Sequence, residues 1–220
     1  MTPAPLKVAV LASGRGSNLA ALIAARDAGT LPVEFVLVGS DKASAGALRL
    51  AEDAGIPTLA LNPKGYPDRP AFDRELFARI AASGAELLVL AGFMRVIDGA
   101  ALAPWAGRIV NIHPSLLPKY RGLHTHRRAL EAGDTEHGAS VHFVTAELDG
   151  GPLIAQARIV VRPGDDENSL AARLLPLEHR LLPAAVALLA ARRLALGDAG
   201  VLLDGRPLRA PLQLGEHGLQ

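Results

Sequence analysis

Short apolar runs recur through the first half of the chain, and each has the length of a buried strand. The first, Lys7-Val-Ala-Val-Leu-Ala12, is rich in valine and stops at a glycine-containing segment, as a buried strand does before a turn. The other runs have the same character. The pattern predicts five strands, at residues 7–12, 33–38, 57–61, 86–91 and 108–112.

The segments between these runs have the spacing of amphipathic helices. Leu19, Leu22 and Ile23 share one face of the first helix, while Ser44 and Asp68 are suitable caps for the next two. The predicted helices cover residues 18–29, 44–55 and 70–83. Strands that alternate with helices of about a dozen residues are typical of a parallel sheet covered on both faces. The sequence therefore predicts a doubly wound, mostly parallel α/β fold.

The pattern changes after the fifth strand. Residues 139–144 and 154–161 form two strand-like runs without a long helix between them, so we expect them to be antiparallel neighbours. A helical pattern then extends over residues 169–196. Pro176 and Pro183 lie inside it and predict a kink or a break.

The last predicted element is a terminal hairpin over residues 201–208, with its turn at Asp204-Gly205. A chain of 220 residues with 50% apolar content can bury one substantial core. We therefore predict one domain over residues 1–220, with the antiparallel strands in its C-terminal part, although a chain of this length could also form two small domains.

The glycine-rich loop Ser13-Gly-Arg-Gly-Ser-Asn18 lies between a predicted strand and a predicted helix. Backbone N–H groups and the helix dipole converge on an anion at such a place, and a phosphate would fit. Leu19 stands where the dinucleotide-binding fingerprint has its third glycine, which weakens a nicotinamide interpretation. Asp41 could still imitate a ribose-binding acid, so a dehydrogenase remains an alternative, as does a simple tight turn.

A second polar group begins on the fifth strand, with Asn111 and His113. Strand alternation places both side chains on one face, and the carboxyl end of a strand is where open α/β sheets bind ligands. Pro114 and Pro118 stiffen the loop that follows. Asn111 and His113 are therefore candidate functional residues, although an isolated histidine is more often structural.

Two further segments have both a chemical and a structural interpretation. His124 and His126 alternate as zinc ligands can, but no third ligand has matching spacing and cysteine is absent, so we expect no metal site. Residues 147–152, Glu-Leu-Asp-Gly-Gly-Pro, have the composition of an ordinary turn. A carboxylate delivered from this turn to His113 would stabilise the protonated imidazole and serve proton transfer.

Composition and charge exclude several classes of protein. The 23 basic and 22 acidic side chains nearly cancel, and only 4% of residues are aromatic, so we expect no nucleic-acid partner. The longest apolar run, residues 181–191, is shorter than the roughly 20 residues that cross a bilayer, which predicts no membrane partner. The N-terminus lacks the pattern of a secretory signal, which favours a cytoplasmic protein.

Four segments of the chain resemble the folate-dependent formyltransferase family, in the order in which that family has them. The run His-Pro-Ser-Leu-Leu-Pro is specific to the family as a whole, and the Gly-Ser-Asn loop is typical of its glycinamide ribonucleotide branch. The likeness extends from Val8 to about Asp204. The segments are residues 13–19, 90–95, 111–118 and 149–152.

This resemblance implies a Rossmann-like formyltransferase fold and an activity. The family branch transfers the formyl group of 10-formyltetrahydrofolate to the amine of 5-phosphoribosylglycinamide (glycinamide ribonucleotide, GAR) in purine (IMP) biosynthesis. Neither a metal nor a nicotinamide is required. The resemblance further implies small-molecule partners only, and a monomer or a homodimer.

The resemblance also assigns roles to residues. The catalytic residues would be Asn111, His113 and Asp149. The contacts to the phosphorylated substrate would be Gly16, Ser17, Asn18 and Glu178. The folate contacts would be Arg69, Met94, Arg95, Val96, Ile97 and Asn111. Leu175 and Pro176 stand beside Glu178 where relatives are often more polar.

Three alternatives follow from the same residues. A formyltransferase for aminoacylated tRNA and a hydrolytic deformylase share the family motifs, but each usually has an additional domain, and the length of 220 residues leaves little room for one. A non-catalytic nucleotide-binding module would explain the glycine loop without explaining Asn111, His113 and Asp149 together.

Overall fold

The computed structural model describes residues 4–220 of the chain, which divide into two compact units. The first unit ends at Asn111 and the second extends from Ile112 to Gln220. None of the helices described in this range combines the length and the apolar content that crossing a bilayer requires.

The first unit is built on a parallel sheet whose strands agree with the five predicted from the sequence. β1 pairs with β2 on one side and with β4 on the other, β2 pairs with β3, and β4 pairs with β5, all in parallel. The spatial order is therefore β5-β4-β1-β2-β3. The strands are β1 (Leu6–Leu11), β2 (Val33–Ser40), β3 (Thr58–Ala60), β4 (Leu87–Leu90) and β5 (Ile109–His113).

This strand order reverses direction between β1 and β4. A sheet of this kind binds ligands in the crevice beyond the carboxyl ends of the strands at the point of reversal. Two segments meet there, namely the glycine loop after β1 and residues 91–98 after β4. The strand order alone thus predicts ligand binding at the same loops that the sequence pattern indicated.

Helices connect the parallel strands of the first unit, as predicted. Asp68 caps α3 by accepting a hydrogen bond from the N–H of Ala71 at 2.7 Å, whereas Ala45, and not Ser44, occupies the cap position of α2. The helices are α1 (Ser17–Asp27), α2 (Gly46–Asp53), α3 (Arg69–Ala82) and the short α4 (Gly99–Leu102), with single 3₁₀ turns at Pro63–Gly65 and Ala103–Trp105.

The second unit begins within β5 and contains the predicted antiparallel pair. After α5 (Thr125–Glu131), β6 (Glu136–Phe143) runs antiparallel to β7 (Leu153–Val160). The mostly parallel α/β class with antiparallel strands in the C-terminal part is therefore confirmed.

The sequence predicted a kink or a break at the two prolines of the long helix α6 (Glu167–Ala190). The helix is not broken at either of them. Both Pro176 and Pro183 lie inside a single 24-residue helix. An interior proline costs about 3 kcal/mol. Burial of five leucines and Val186 along the helix offsets this cost, since each buried side chain of this size contributes about 1.5–3 kcal/mol. A capping box between Asp166 and Ser169 fixes the first turn.

The C-terminal hairpin is present, but it is not terminal. β9 (Gly200–Leu203) turns at Asp204-Gly205 into β10 (Arg206–Pro207) and also pairs with β8 (Leu194–Gly197). Two strands follow that the sequence did not indicate. β11 (Leu212–Gly215) pairs in parallel with β7, and β12 (Gly218–Leu219) pairs antiparallel with β11. They are short and rich in glycine, and so lack a strand-like pattern.

Candidate active site

The glycine loop leads directly into α1, and Gly16 is the residue that makes the turn possible. It occupies the N-cap position with φ of 82°, in the left-handed region that glycine adopts without strain. A Cβ atom at this position would lie 2.8 Å from the Cα of Ala47. Ser17 and Asn18 then form the first turn of α1, where backbone N–H groups lack partners within the helix. The geometry suits a bound phosphate.

The segment after β4 contains four predicted folate contacts, Met94 to Ile97, and is held at both ends. The N–H of Met94 donates to the Oγ of Ser13 at 2.9 Å, and the N–H of Asp98 donates to Oδ2 of Asp73 at 2.8 Å. Met94 is 65% exposed and Val96 is 49% exposed, whereas Ile97 is buried. Side chains that face solvent on a fixed backbone are available to a ligand.

Two arginines lie close to the same segment. Arg95 places its guanidinium 4.9 Å from the centre of the Phe72 ring, and Arg69 is the first residue of α3. Both interact electrostatically with the fully buried carboxyl of Asp73. Burial raises the pKa of Asp73, although the N–H of Asp98 and the charge of Arg95 act in the opposite direction. The predicted folate contacts Arg69 and Arg95 are thus brought together with Met94–Ile97 within the first unit.

In the second unit, the turn after β6 brings a carboxylate to the histidine at the end of β5. Oδ2 of Asp149 lies 3.5 Å from Nδ1 of His113, and both side chains are at most 10% exposed. Nε2 of His113 lies 2.9 Å from the carbonyl oxygen of Tyr120. Both ring nitrogens therefore face oxygen acceptors, an arrangement that matches the two donors of an imidazolium.

The shape of this turn accounts for part of the Asp149-Gly-Gly-Pro152 sequence. Asp149 adopts φ of 47°, and its Oδ2 also accepts a hydrogen bond from the N–H of Gly122 at 2.8 Å. A Cβ at Gly151 would lie 1.9 Å from the carbonyl oxygen of Phe143, so only glycine fits there. The segment is thus an ordinary turn and also brings a carboxylate to His113, so the two interpretations of its sequence do not exclude each other.

A second histidine approaches Asp149, and the sequence interpretation missed it. Nε2 of His142 lies 3.8 Å from Oδ1 of Asp149, and its Nδ1 lies 2.9 Å from the carbonyl of Phe143. His142 is 2% exposed, and burial lowers its pKa. The available signal was a histidine near the carboxyl end of β6, the strand that leads into the Asp149 turn.

The C-terminal part of the second unit also approaches Asp149. A cavity of about 380 Å³ is bounded by Pro118, by the turn that contains Asp149, and by Val201 and Arg209. Glu178, the remaining predicted substrate contact, lies buried in α6.

The two histidines considered as a zinc pair do not act together. His126 contacts His137 instead, with Nδ1 and Nε2 3.0 Å apart, while His124 precedes α5 with φ of 58°. Within residues 4–220, no three His, Cys, Asp or Glu side chains are grouped as metal ligands would be.

The His126–His137 pair makes stability depend on pH. Burial and then the neighbouring His126 lower the pKa of His137 to about 4, against an ordinary value of 6.5. The folded state keeps His137 neutral down to about pH 4, whereas the unfolded chain binds a proton below about pH 6.5. The contribution of His137 to stability is therefore fully present above about pH 6.5 and is lost as the pH falls towards 4.

We expect His137 alone to lower the free energy of unfolding by about 1–2 kcal/mol between about pH 7.5 and pH 5, so the His137→Gln variant should lose less stability than the wild type over this interval. Urea unfolding at the two pH values measures both quantities. His217→Gln, at an exposed position near the C-terminus, is the matched control and should keep the wild-type difference. An unchanged pH dependence in His137→Gln would contradict the assignment.

Comparison with known proteins identifies the family of this chain. The sequence profile of the formyl transferase family matches residues 6–186. The chain belongs to the formyl transferase family. Its similarity to phosphoribosylglycinamide formyltransferase of Escherichia coli K12 is 47% identity over 203 residues, which cover 92% of this chain and 96% of that protein.

Solved structures of this branch of the formyl transferase family are similar over most of their length. Phosphoribosylglycinamide formyltransferase from Coxiella burnetii superposes with a TM-score of 0.89 at 47% identity, covering 93% of this chain and 96% of that one. Glycinamide ribonucleotide transformylase 1 from Symbiobacterium toebii superposes with a TM-score of 0.88 at 42% identity, covering 92% and 95%. The resemblance read from the four sequence segments is thereby confirmed.

Proposed function

We propose that this formyl transferase moves the formyl group of 10-formyltetrahydrofolate to the amine of 5-phosphoribosylglycinamide (GAR), the step that its near full-length relatives are named for. The observation that carries the proposal is the approach of the Asp149 carboxylate to within 3.5 Å of His113, which lies two residues along β5 from Asn111. An amide, an imidazole and a carboxylate in this arrangement suit acyl transfer to an amine.

The reaction passes through a tetrahedral intermediate. The amine of GAR attacks the formyl carbon, and the formyl oxygen becomes an oxyanion that hydrogen-bond donors must stabilise. The amide N–H of Asn111 and a ring N–H of His113 supply these donors. Because Nε2 of His113 faces the Tyr120 carbonyl, we propose that the oxyanion replaces this carbonyl as its partner.

Asp149 orients His113 and receives or passes on a proton. The carboxylate lies at ion-pair distance from Nδ1 and is fixed by the N–H of Gly122. The attacking nitrogen must lose a proton and the folate nitrogen must gain one before the intermediate collapses. A carboxylate beside the imidazolium is suited to this transfer, directly or through a water molecule.

In this proposal, Gly16, Ser17 and Asn18 hold the phosphate of GAR, and Glu178 is a further contact to this substrate. Arg69, Arg95 and the segment Met94–Ile97 hold the folate. Since the formal net charge is only +1, local groups and not a general positive field must attract these ligands.

One assay tests the proposed function. The purified chain is mixed with 10-formyltetrahydrofolate, and the change in folate absorbance is followed with and without GAR. Release of tetrahydrofolate that depends on GAR supports formyl transfer. Release that is independent of GAR indicates a hydrolytic deformylase, and no release indicates a binding module, so either result contradicts the proposal.

The Ser17→Ala variant tests the phosphate loop. Removal of this hydroxyl should raise the KM for GAR by about 10- to 150-fold, because a hydrogen bond to a charged group contributes about 1.5–3 kcal/mol, and should change kcat little. Steady-state kinetics with varied GAR measure the effect. Ser44→Ala, an exposed serine outside the loop, is the control. An unchanged KM in Ser17→Ala would argue against the loop as the phosphate site.

A single formyltransferase domain over residues 1–220, a cytoplasmic location and a monomeric or homodimeric state stay predictions.

A further inference from the structure

One buried side chain, Ser13, joins the glycine loop to the segment after β4. Its N–H donates to the carbonyl of Gly92 at 3.0 Å, and its Oγ accepts the N–H of Met94 at 2.9 Å. The hydroxyl itself donates to Oδ1 of Asp41 at 2.6 Å, and Ser13 is 4% exposed. The segments that follow β1, β2 and β4 thus meet at one hydroxyl group.

The chemistry of this hydroxyl group explains the role of Asp41. A serine hydroxyl has one donor and two acceptor positions, and it rotates to suit its partners. Asp41 takes the single proton in a bond whose 2.6 Å length is typical of a hydroxyl bound to a carboxylate. The rotation of the hydroxyl is then fixed, so that a lone pair faces the N–H of Met94. Asp41, which the sequence left open as a ribose-binding acid, has a partner inside the protein.

We propose that Ser13 is a positioning residue that couples the binding of the two substrates. The inference rests on the proposed function, in which the loop that starts at Ser13 holds the phosphate of GAR and the segment that starts at Met94 contacts the folate. When either ligand fixes its own segment, the shared hydroxyl group restricts the other segment. The second ligand then loses less conformational freedom and binds more tightly.

Such coupling is reciprocal. If GAR lowers the Kd of a folate by some factor, the folate lowers the Kd of GAR by the same factor, and couplings between sites are typically about 5- to 150-fold. Tetrahydrofolate is a suitable probe because it has no formyl group. It can therefore form a ternary complex with the protein and GAR without turnover. The coupling factor is the Kd of tetrahydrofolate alone divided by its Kd in the presence of saturating GAR.

The experiment measures this factor by isothermal titration calorimetry under anaerobic conditions, in the wild type and three variants. Ser13→Ala removes the donor and the acceptor together. Asp41→Asn keeps an acceptor for the hydroxyl but removes its charge, and it serves if Ser13→Ala does not fold. Ser83→Ala is the matched control, because it removes a 2.6 Å hydroxyl bond to the carbonyl of Ile80 at the far end of α3.

We expect a wild-type factor of about 5 or more, a factor of about 1–2 in Ser13→Ala, an intermediate value in Asp41→Asn and the wild-type value in Ser83→Ala. The KM values for both substrates should rise by about 3- to 10-fold in Ser13→Ala, while kcat at saturation changes little. A merely structural role would lower the melting temperature without removing the coupling.

Two results overturn the inference and leave the proposed function intact, namely a wild-type factor near 1 or an unchanged factor in Ser13→Ala and Asp41→Asn. A wild-type chain that binds neither GAR nor tetrahydrofolate would instead contradict the proposed function itself.

Discussion

The Asp149→Asn variant should lose about 10²–10⁴-fold in kcat and keep its fold, because the substitution removes the charge beside His113 and preserves the shape of the side chain. Asparagine can still accept the N–H of Gly122, which Oδ2 of Asp149 accepts at 2.8 Å. It also tolerates the φ of 47° at this position better than most residues do. Neither backbone strain nor a lost turn can therefore account for the expected effect.

Asp204→Asn is the matched control for this variant. Asp204 also adopts a positive φ, of 51°, in a turn of the second unit, and its carboxylate pairs with Arg193 at the surface. The control should retain wild-type kcat and lose little stability, since exposed ion pairs contribute about 0–1 kcal/mol. Steady-state kinetics and thermal unfolding of both variants make the comparison. Near-normal formyl transfer by folded Asp149→Asn would defeat the assignment of Asp149.

The sequence predicted most of the first unit because its signals are local. β1 ends where its apolar run ends, Asp68 caps α3, and the loop from Ser13 to Asn18 lies between strand and helix as expected. These features depend on residues that are near neighbours in the chain. The carboxyl ends of neighbouring parallel strands also lie at one edge of a sheet, so that the position of the candidate site followed from topology alone.

Features that depend on long-range packing could not be predicted in the same way. The continuity of α6 through Pro183 depends on side chains that it buries, and β11 is a strand only because β7 offers it an edge. Similarly, Asp41 could be seen as a carboxylate after β2, but its partner Ser13 lies 28 residues away. The periodicity of the sequence does not indicate such a contact between distant residues.

The candidate catalytic residues show what local rules can predict and what they cannot. The spacing of Asn111 and His113 indicated that they belong together, because strand alternation is a local rule. The approach of Asp149 to within 3.5 Å of His113 depends on the antiparallel pairing of β6 and β7 and on the loop between them. From the residues alone, this approach was one of two interpretations, and the family resemblance was needed to choose it.

His113→Ala should lower kcat by about 10²–10³-fold, because it removes a hydrogen-bond donor for the oxyanion. The side chain is buried and contacts Asp149 and the Tyr120 carbonyl, so thermal unfolding must accompany the kinetics. His217→Ala, an exposed histidine near the C-terminus, is the control and should keep wild-type kcat. Wild-type turnover in folded His113→Ala would exclude the histidine from the reaction.

The double variant His113→Ala/Asp149→Asn separates a shared role from two independent ones. Independent losses multiply, which would give about 10⁴–10⁷-fold in kcat. If Asp149 acts by orienting His113 and by exchanging protons with it, its carboxylate has little left to do once the imidazole is absent. The double variant should then be only about as slow as the slower single variant, as is found for catalytic residues that act as a unit. A fully multiplicative loss would show that Asp149 acts on the substrates without His113, and the 3.5 Å contact between them would then be incidental to the chemistry.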